Sequence, residues 1–172
     1  MPIRETAKSK WARSIPAEVD FWDQCFRARP LQWADGYDRL DPDLPLQKYV
    51  SDLLPETADI HILDVGAGPL TYLGKKCDGK RIYITAVDPL ADEYGRILER
   101  YHFEPVVRTQ KIDAERLTTR FAPNIFDLVF ARNCIDHSYD PERAVLEMIK
   151  VVKTSCYVLL DHVLDEGEKQ TY

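Results

Sequence analysis

Cysteine is sparse in this chain and glycine is not abundant. Four cysteines, at 25, 77, 134 and 156, are scattered through 172 residues without a Cys-x-x-Cys pair. Four thiols allow two disulfides, but nothing else in the sequence suggests secretion, so free thiols in a reducing cytoplasm are expected. Histidine, cysteine and acid side chains show no metal-ligand spacing. A metal held by Asp136, Asp161 or His162 has little support, and none is expected. No apolar run approaches the roughly 18–20 residues that span a bilayer, and Met1-Pro2-Ile3-Arg4-Glu5 has no apolar signal region. Basic residues are in the minority: 23 Lys and Arg against 29 Asp and Glu leave a net charge of −6. Phosphate backbones need a basic face, so a nucleic-acid partner is disfavoured. The short clusters Lys75-Lys76 and Lys80-Arg81 read as solvated surface. Internal repeats and low-complexity tracts are absent too.

What is present is patterning. Hydrophobic residues make up 45% and charged residues 30% of the chain, enough for one buried core. The most informative stretch is Ile62-Leu63-Asp64-Val65-Gly66-Ala67-Gly68-Pro69-Leu70-Thr71. An apolar run ends in an acid, and two glycines follow before an expected helix start. Glycine at 66 and 68 removes side chains where the chain bends tightly and where a ligand touches main chain. Apolar strand-like runs then end at Asp88, before Asp113-Ala114, and before Asn133.

Residues 59–163 alternate strand and helix patterns. Strands are expected near 60–65, 82–87, 106–112, 126–131 and 156–161, and helices near 70–76, 90–102, 114–119 and 141–152. The last helix has Asp140 as cap, Pro141 at its first position, and Val145, Met148, Ile149 and Val152 on one face. This alternation predicts an α/β fold, a parallel sheet with helices on both faces. Residues 1–58 read as a helical extension. Ser14 is the expected cap of a helix carrying Ile15, Val19, Trp22 and Phe26 and stopping before Pro30. A second helix carries Leu46, Val50, Leu53 and Leu54. Trp11, Trp22 and Trp33 either pack on the core or belong to a lid over a substrate.

From about Ile60 to Leu160 the chain resembles the class I S-adenosylmethionine-dependent methyltransferases, of the type that acts on small molecules. The resemblance is carried by the acid-x-Gly-x-Gly loop Asp64, Gly66, Gly68 with Ala67 between, by Asp88 ending the second strand, by Asp113-Ala114 after the third, and by Arg132-Asn133-Cys134-Ile135-Asp136-His137 after the fourth. It implies a doubly wound Rossmann-like sheet of order 3-2-1-4-5. S-adenosyl-L-methionine would then be bound at the switch point by Asp64, Gly66, Ala67, Gly68, Asp88, Asp113, Ala114, Arg132 and Asn133. In this reading Asp88 takes the ribose hydroxyls, Asp113 reads the adenine, and main chain near residues 66–68 and 131–133 holds the methionine end. Their bland alternative, for Asp88 and Asp113, is a helix cap after a strand.

A dinucleotide site is the rival reading. Its fingerprint is Gly-x-Gly-x-x-Gly with an acid about 20 residues on. Asp88 has that spacing from Gly68, but Thr71 stands where the third glycine would be, and Asp64 fits the methyltransferase pattern better. Adenosylmethionine has no pyrophosphate, so it makes less demand on a third glycine.

The division expected is 1–58 as helical extension or lid and 59–172 as cofactor-binding core. The family fold continues into two further strands, 6 and 7, which this sequence does not contain. Asp165–Tyr172 reads as polar loop, so the sequence is expected to be a fragment or to have its strand 5 edge covered by another subunit, as in a homo-oligomer. The expected activity is methyl transfer to an oxygen or nitrogen of a small molecule or glycan. A catalytically inactive relative that binds the cofactor within an assembly is the alternative. His137 is the candidate base, if one is needed, and a helix-start residue packed beside the cofactor is its bland reading. Asp136 and Tyr139 are candidates to orient substrate, and His162 is a second base candidate. His61 and His102 read as structural.

Overall fold

In the computed structural model the described residues are 6–28, 31 and 35–162. Trp33, Pro30 and the tail from Asp165 onward lie outside them. The elements are α1 (Ala7–Arg27), α2 (Lys48–Ser51), β1 (Asp59–Val65), β2 (Arg81–Asp88), α3 (Ala91–Arg100), β3 (Gln110–Lys111), β4 (Phe126–Arg132), α4 (Pro141–Val151) and β5 (Val152–Asp161). Short 3-10 turns occupy Asp38–Leu40 and Ala114–Thr119.

The five strands form one parallel sheet in the order β3-β2-β1-β4-β5, the order that the resemblance implied. β1 and β4 lie in its centre. Ile60, Ile62, Leu63, Leu128, Val129 and Phe130 are fully buried, because side chains on both faces of a helix-covered parallel sheet are buried. Leu63, Val65 and Val129 pack with Met148 and Val151 of α4 on one face. Ile60, Ile62, Leu128 and Phe130 pack with Leu46, Val50, Leu54 and Leu73 on the other.

Several expectations are corrected. α1 starts at Ala7, not after Ser14. The Thr6 side chain accepts from the Ser9 amide at 3.2 Å and caps it, and the helix runs through Pro16. Its length is favoured by tertiary packing that outweighs the lost amide of Pro16: Ile15, Val19, Trp22 and Phe26 pack with Tyr94, Ile97, Leu98 and Phe103. The second helix contracts to one turn, Lys48–Ser51. No helix follows β1; residues 69–76 are irregular. β3 is two residues long, and 114–119 is 3-10 rather than α.

α4 does start as expected, with Asp140 accepting from the Arg143 amide at 3.1 Å and Pro141 in the first turn. Its buried face is Ala144, Glu147, Met148 and Val151, and Ile149 is 53% exposed. The buried acid shifted that face. Glu147 accepts from the Thr118 amide at 2.8 Å and hydroxyl at 2.6 Å and from Lys150 at 2.8 Å. Burial pushes the Glu147 carboxyl up, but these bonds outweigh it and hold the pKa down at about 2. β5 begins at Val152, four residues before the expected start. Its register jumps from Phe126↔Val152 to Leu128↔Tyr157, with Ser155 at φ 65 between them.

Candidate active site

The carboxyl ends of β1, β2 and β4 meet at the point where the strand order reverses. Gly66 and Ala67 both donate their amides to the Val87 carbonyl, at 2.8 and 3.1 Å. The Gly68 amide reaches one oxygen of Asp88 at 3.2 Å, and the Leu90 amide reaches the other at 2.8 Å. The glycine loop is thus folded back onto the end of β2. Gly66 has φ +68, and a Cβ there would lie 2.5 Å from both Cβ and Sγ of Cys134. Gly68 has φ +64 and faces the indole of Trp22. Both positions need glycine for conformation, and Gly66 needs it for space as well.

Asp64 and Asp88 are buried, at 2% and 7% exposure. Burial raises the Asp64 pKa to about 7, and the nearby charge of Asp88 adds to this. The Thr71 hydroxyl, donating at 2.5 Å, and the charge of Arg39 work against it. Burial raises Asp88 to about 6, against the Leu90 and Gly68 amides and with Glu18 and Glu93 adding. Two buried, mutually repelling carboxylates favour a cationic ligand. A singly bonded carboxylate oxygen keeps acceptor capacity, so Asp88 retains room for hydroxyl donors. The Cys134 thiol donates to the Val65 carbonyl at 3.1 Å, and burial pushes its pKa well up, which leaves it a packed thiol rather than a nucleophile.

Beyond β4, Asn133 adopts φ 46 and its amide donates to the Asp161 carbonyl at 3.0 Å. The Arg132 guanidinium lies 3.7 Å from the Tyr72 ring centroid and 3.7 Å from Asp161. Asp113 and Ala114 start the 3-10 turn directly after β3, where the Ile112 amide donates to the Asp88 carbonyl at 3.4 Å. Asp113 accepts from the Tyr139 hydroxyl at 3.2 Å and lies 3.8 Å from Lys8. Burial, with Glu115 and Asp113 nearby, pushes Tyr139 up to about 12. His137 is 54% exposed, its ring 3.5 Å from Asp136, in the turn that precedes α4. His162 is exposed after β5. His61 stacks on Tyr83 on the exposed side of β1 with centroids 4.9 Å apart, and His102 is exposed with φ 59.

α1 crosses the same ends. Trp11 meets Tyr139 edge-on at 5.7 Å, Lys8 lies 4.7 Å from that ring, and Trp22 covers Gly68. Asp23 anchors the helix to α3: Arg100 and Tyr101 donate to it at 2.5 and 3.1 Å. Trp11 thus packs on Tyr139, and Trp22 packs on the α1–α3 core and against Gly68.

The family described as "Methyltransferase domain" matches residues 63–160. The chain belongs to that family. Phosphoethanolamine N-methyltransferase 2 of Caenorhabditis elegans is 29% identical over 125 residues, 73% of this chain and 27% of that protein. The crystal structure of Haemonchus contortus phosphoethanolamine N-methyltransferase 1, in complex with phosphoethanolamine and S-adenosylhomocysteine, shares the fold at TM-score 0.58 and 18% identity. It covers 100% of this chain and 36% of that one. A candidate S-adenosyl-L-methionine-dependent methyltransferase of Methanococcus maripaludis superposes at TM-score 0.55 and 13% identity, over 94% of this chain and 67% of that one. The chain thus spans about a quarter of its curated relative's length. With the 3-2-1-4-5 sheet, these place it among the class I S-adenosylmethionine-dependent methyltransferases.

The site residues named from sequence fall into two groups. Asp64, Gly66, Ala67, Gly68 and Asp88 converge directly, with Arg132 and Asn133 beside them at the end of β4. Asp113 and Ala114 follow β3, next to the end of β2, and Asp113 lies 3.8 Å from Lys8 of α1. Nothing in the sequence pattern pointed to Cys134 or Trp22 as neighbours of the glycine loop, or to the bond from Thr71 back to Asp64. Each is separated from its contact by a chain reversal, and no short motif records such pairs.

Proposed function

We propose that this chain binds S-adenosyl-L-methionine across the carboxyl ends of β1, β2 and β4 and takes part in methyl transfer to a nitrogen or oxygen of a small molecule. The observation that carries this is the pair of buried, raised carboxylates Asp64 and Asp88 framing a tight glycine loop at the point where the strand order reverses. A cationic cofactor would lower the cost of ionising both. The bound cofactor supplies an electrophilic methyl on a sulfonium, so the protein's part is chiefly positioning.

Asp88 would accept the ribose hydroxyls. Asp113, with Ala114 beside it, would accept the exocyclic amine of the adenine. Main chain at Gly66–Gly68 and around Arg132–Asn133 would hold the amino-acid end. His137, beside Asp136, would take a proton from the acceptor where one must leave. Residues 1–58 act as a lid through α1, and 59–172 as the cofactor-binding core. The two nematode relatives are phosphoethanolamine N-methyltransferases, which makes phosphoethanolamine the first acceptor to try.

Calorimetry with S-adenosylhomocysteine tests binding; mass-spectrometric detection of methylated phosphoethanolamine, or of methylated metabolites in an extract, tests transfer. Micromolar binding with product supports the reading. Absence of binding to either cofactor form sinks it, and binding without product favours the inactive, cofactor-holding relative. We also propose self-association along β5, the edge of the described sheet, where Tyr157 and Leu160 are 53% and 40% exposed. Light scattering that finds only monomer removes that part.

A further inference from the structure

After Gly68 the loop loses its support from β2. In place of a helix, residues 69–76 lie against the segment 39–47, and nearly every anchoring bond crosses between them. Arg39 Nη1 donates to the Leu70 carbonyl at 3.2 Å. Lys75 and Lys76 donate their amides to the Leu44 carbonyl at 2.7 and 3.1 Å, and the Leu46 amide donates to the Lys76 carbonyl at 2.6 Å. Lys75 Nζ returns to the Arg39 carbonyl at 2.8 Å. The main chain of Pro45 presses on Gly74 so closely that a Cβ there would clash.

At the centre stands Gln47. Its Nε2 donates to the Tyr72 carbonyl at 2.8 Å, and its Oε1 accepts from the Gly74 amide at 3.2 Å. One side-chain amide thereby does what a neighbouring strand does: it pairs with the carbonyl of one residue and the amide of the residue two further on. Just before those two bonds, Thr71 ties the loop inward. Its hydroxyl donates to Asp64 and accepts the Leu73 amide at 3.2 Å.

We propose that Gln47 is a positioning residue for cofactor binding, holding residues 70–74 so that Thr71 keeps the Asp64 carboxylate fixed and the glycine loop stays open to its ligand. The proposal rests on the cofactor reading above. It makes the N-terminal extension part of the cofactor site, through main-chain geometry rather than by touching the ligand. Without the Gln47 amide, the Tyr72 carbonyl and Gly74 amide lose partners in a half-buried place, and loop states with Thr71 away from Asp64 become populated.

The test is calorimetry with S-adenosylhomocysteine on the 172-residue chain, with melting followed in parallel. Gln47→Ala is expected to bind about tenfold more weakly, the equivalent of one lost hydrogen bond between neutral groups. Gln47→Glu keeps the acceptor for Gly74 but sets a second oxygen against the Tyr72 carbonyl, and should bind at least as poorly. Lys48→Ala, at the exposed neighbour, should bind as wild type does. A lower melting point with unchanged affinity, measured well below the melt, makes Gln47 merely structural and overturns the proposal. If neither Gln47 variant folds, hydrogen exchange of the wild-type chain decides: ligand should slow the Gly74 amide, and no change overturns the idea. Asp88→Ala separates the readings. If it too leaves affinity unchanged, the cofactor assignment fails; if it weakens binding while the Gln47 variants do not, only the positioning role fails.

Discussion

The two turns that flank the switch point are built in different ways. The turn after β1, Gly66 to Lys76, depends on distant partners: Val87, Asp88, Gln47, Arg39, Leu44 and Thr109, which donates its hydroxyl to the Gly68 carbonyl at 2.8 Å. The turn after β4, residues 133 to 140, adds local bonds to distant ones: the Asn133 amide reaches Asp161, the Tyr139 hydroxyl Asp113, and the Asp140 amide Glu115 Oε1 at 3.2 Å. His137 and Ser138 donate amides to the carbonyls of Cys134 and Ile135 at 3.2 and 3.1 Å, and Asp140 caps the helix that follows. The first has almost no bonds of its own and takes its shape from the assembled domain. The second has local bonds at His137 and Ser138 and distant ones at both of its ends. The cofactor cradle can therefore be loosened from far away, whereas the middle of the segment carrying His137 is held by its neighbours.

The largest expected effect strikes the second turn. His137→Ala should lower turnover by about 10²–10⁴-fold, the usual worth of a general base, with cofactor affinity nearly intact. Steady-state kinetics beside calorimetry check this, and unchanged turnover returns His137 to a surface role.

Gly66→Ala joins the two turns by force. A Cβ there meets Cys134 at 2.5 Å on a backbone with φ +68. Strain and overpacking together should cost about 2–4 kcal/mol of stability. Cys134→Gly in the same chain should recover part of it, and a double-mutant cycle that shows simple additivity would contradict the contact.

Asp88→Ala should weaken binding of adenosylmethionine by about 1.5–3 kcal/mol, through lost hydrogen bonds to a carboxylate. Equal affinity in titrations of mutant and wild type would remove the ribose assignment.

The smallest effect is in pH. The folded pKa values of Asp64 and Asp88, about 7 and about 6, lie above the ordinary 3.8. A raised acid binds more protons folded than unfolded. Its contribution to stability is therefore present at low pH and is lost as pH rises through the folded value. Between about pH 4 and 7 these two groups should lower the melting point of the ligand-free chain as pH increases. Asp64→Asn should flatten that slope. The positively charged cofactor should bind several-fold more tightly at pH 8 than at pH 6, with proton release. Glu147, lowered to about 2 from 4.5, acts in the opposite sense: its stabilisation is present above pH 4.5 and fades as pH falls toward 2.

Much of the fold was legible because it is written in short-range pattern. The apolar runs of β1, β2 and β4 lie within a residue or two of their expected places, and Asp140-Pro141 marked the start of α4. The glycines at 66 and 68 marked a turn with positive φ. The helix expected at 70–76 was not legible as a loop. Its residues do not forbid a helix, and it is Gln47, Arg39, Leu44 and Leu46 in the assembled fold that offer its backbone other partners. The face of α4 was misread for a similar reason: Glu147 is buried because Thr118 and Lys150 satisfy it.

The sequence by itself determined which segments are buried strands, where the chain must turn, and which acids end those strands. Those choices follow from hydrophobic periodicity and from the dihedral limits of each residue, which act over a few positions. Tertiary structure alone decided that α1 crosses the carboxyl ends with Trp22 over Gly68. It alone decided that Asp64 and Asp88 are buried near one another, and that residues 69–76 lean on 39–47 instead of coiling. Those outcomes depend on burial and on hydrogen-bond partners tens of residues apart, and a buried polar group takes whichever partner the assembled fold brings to it.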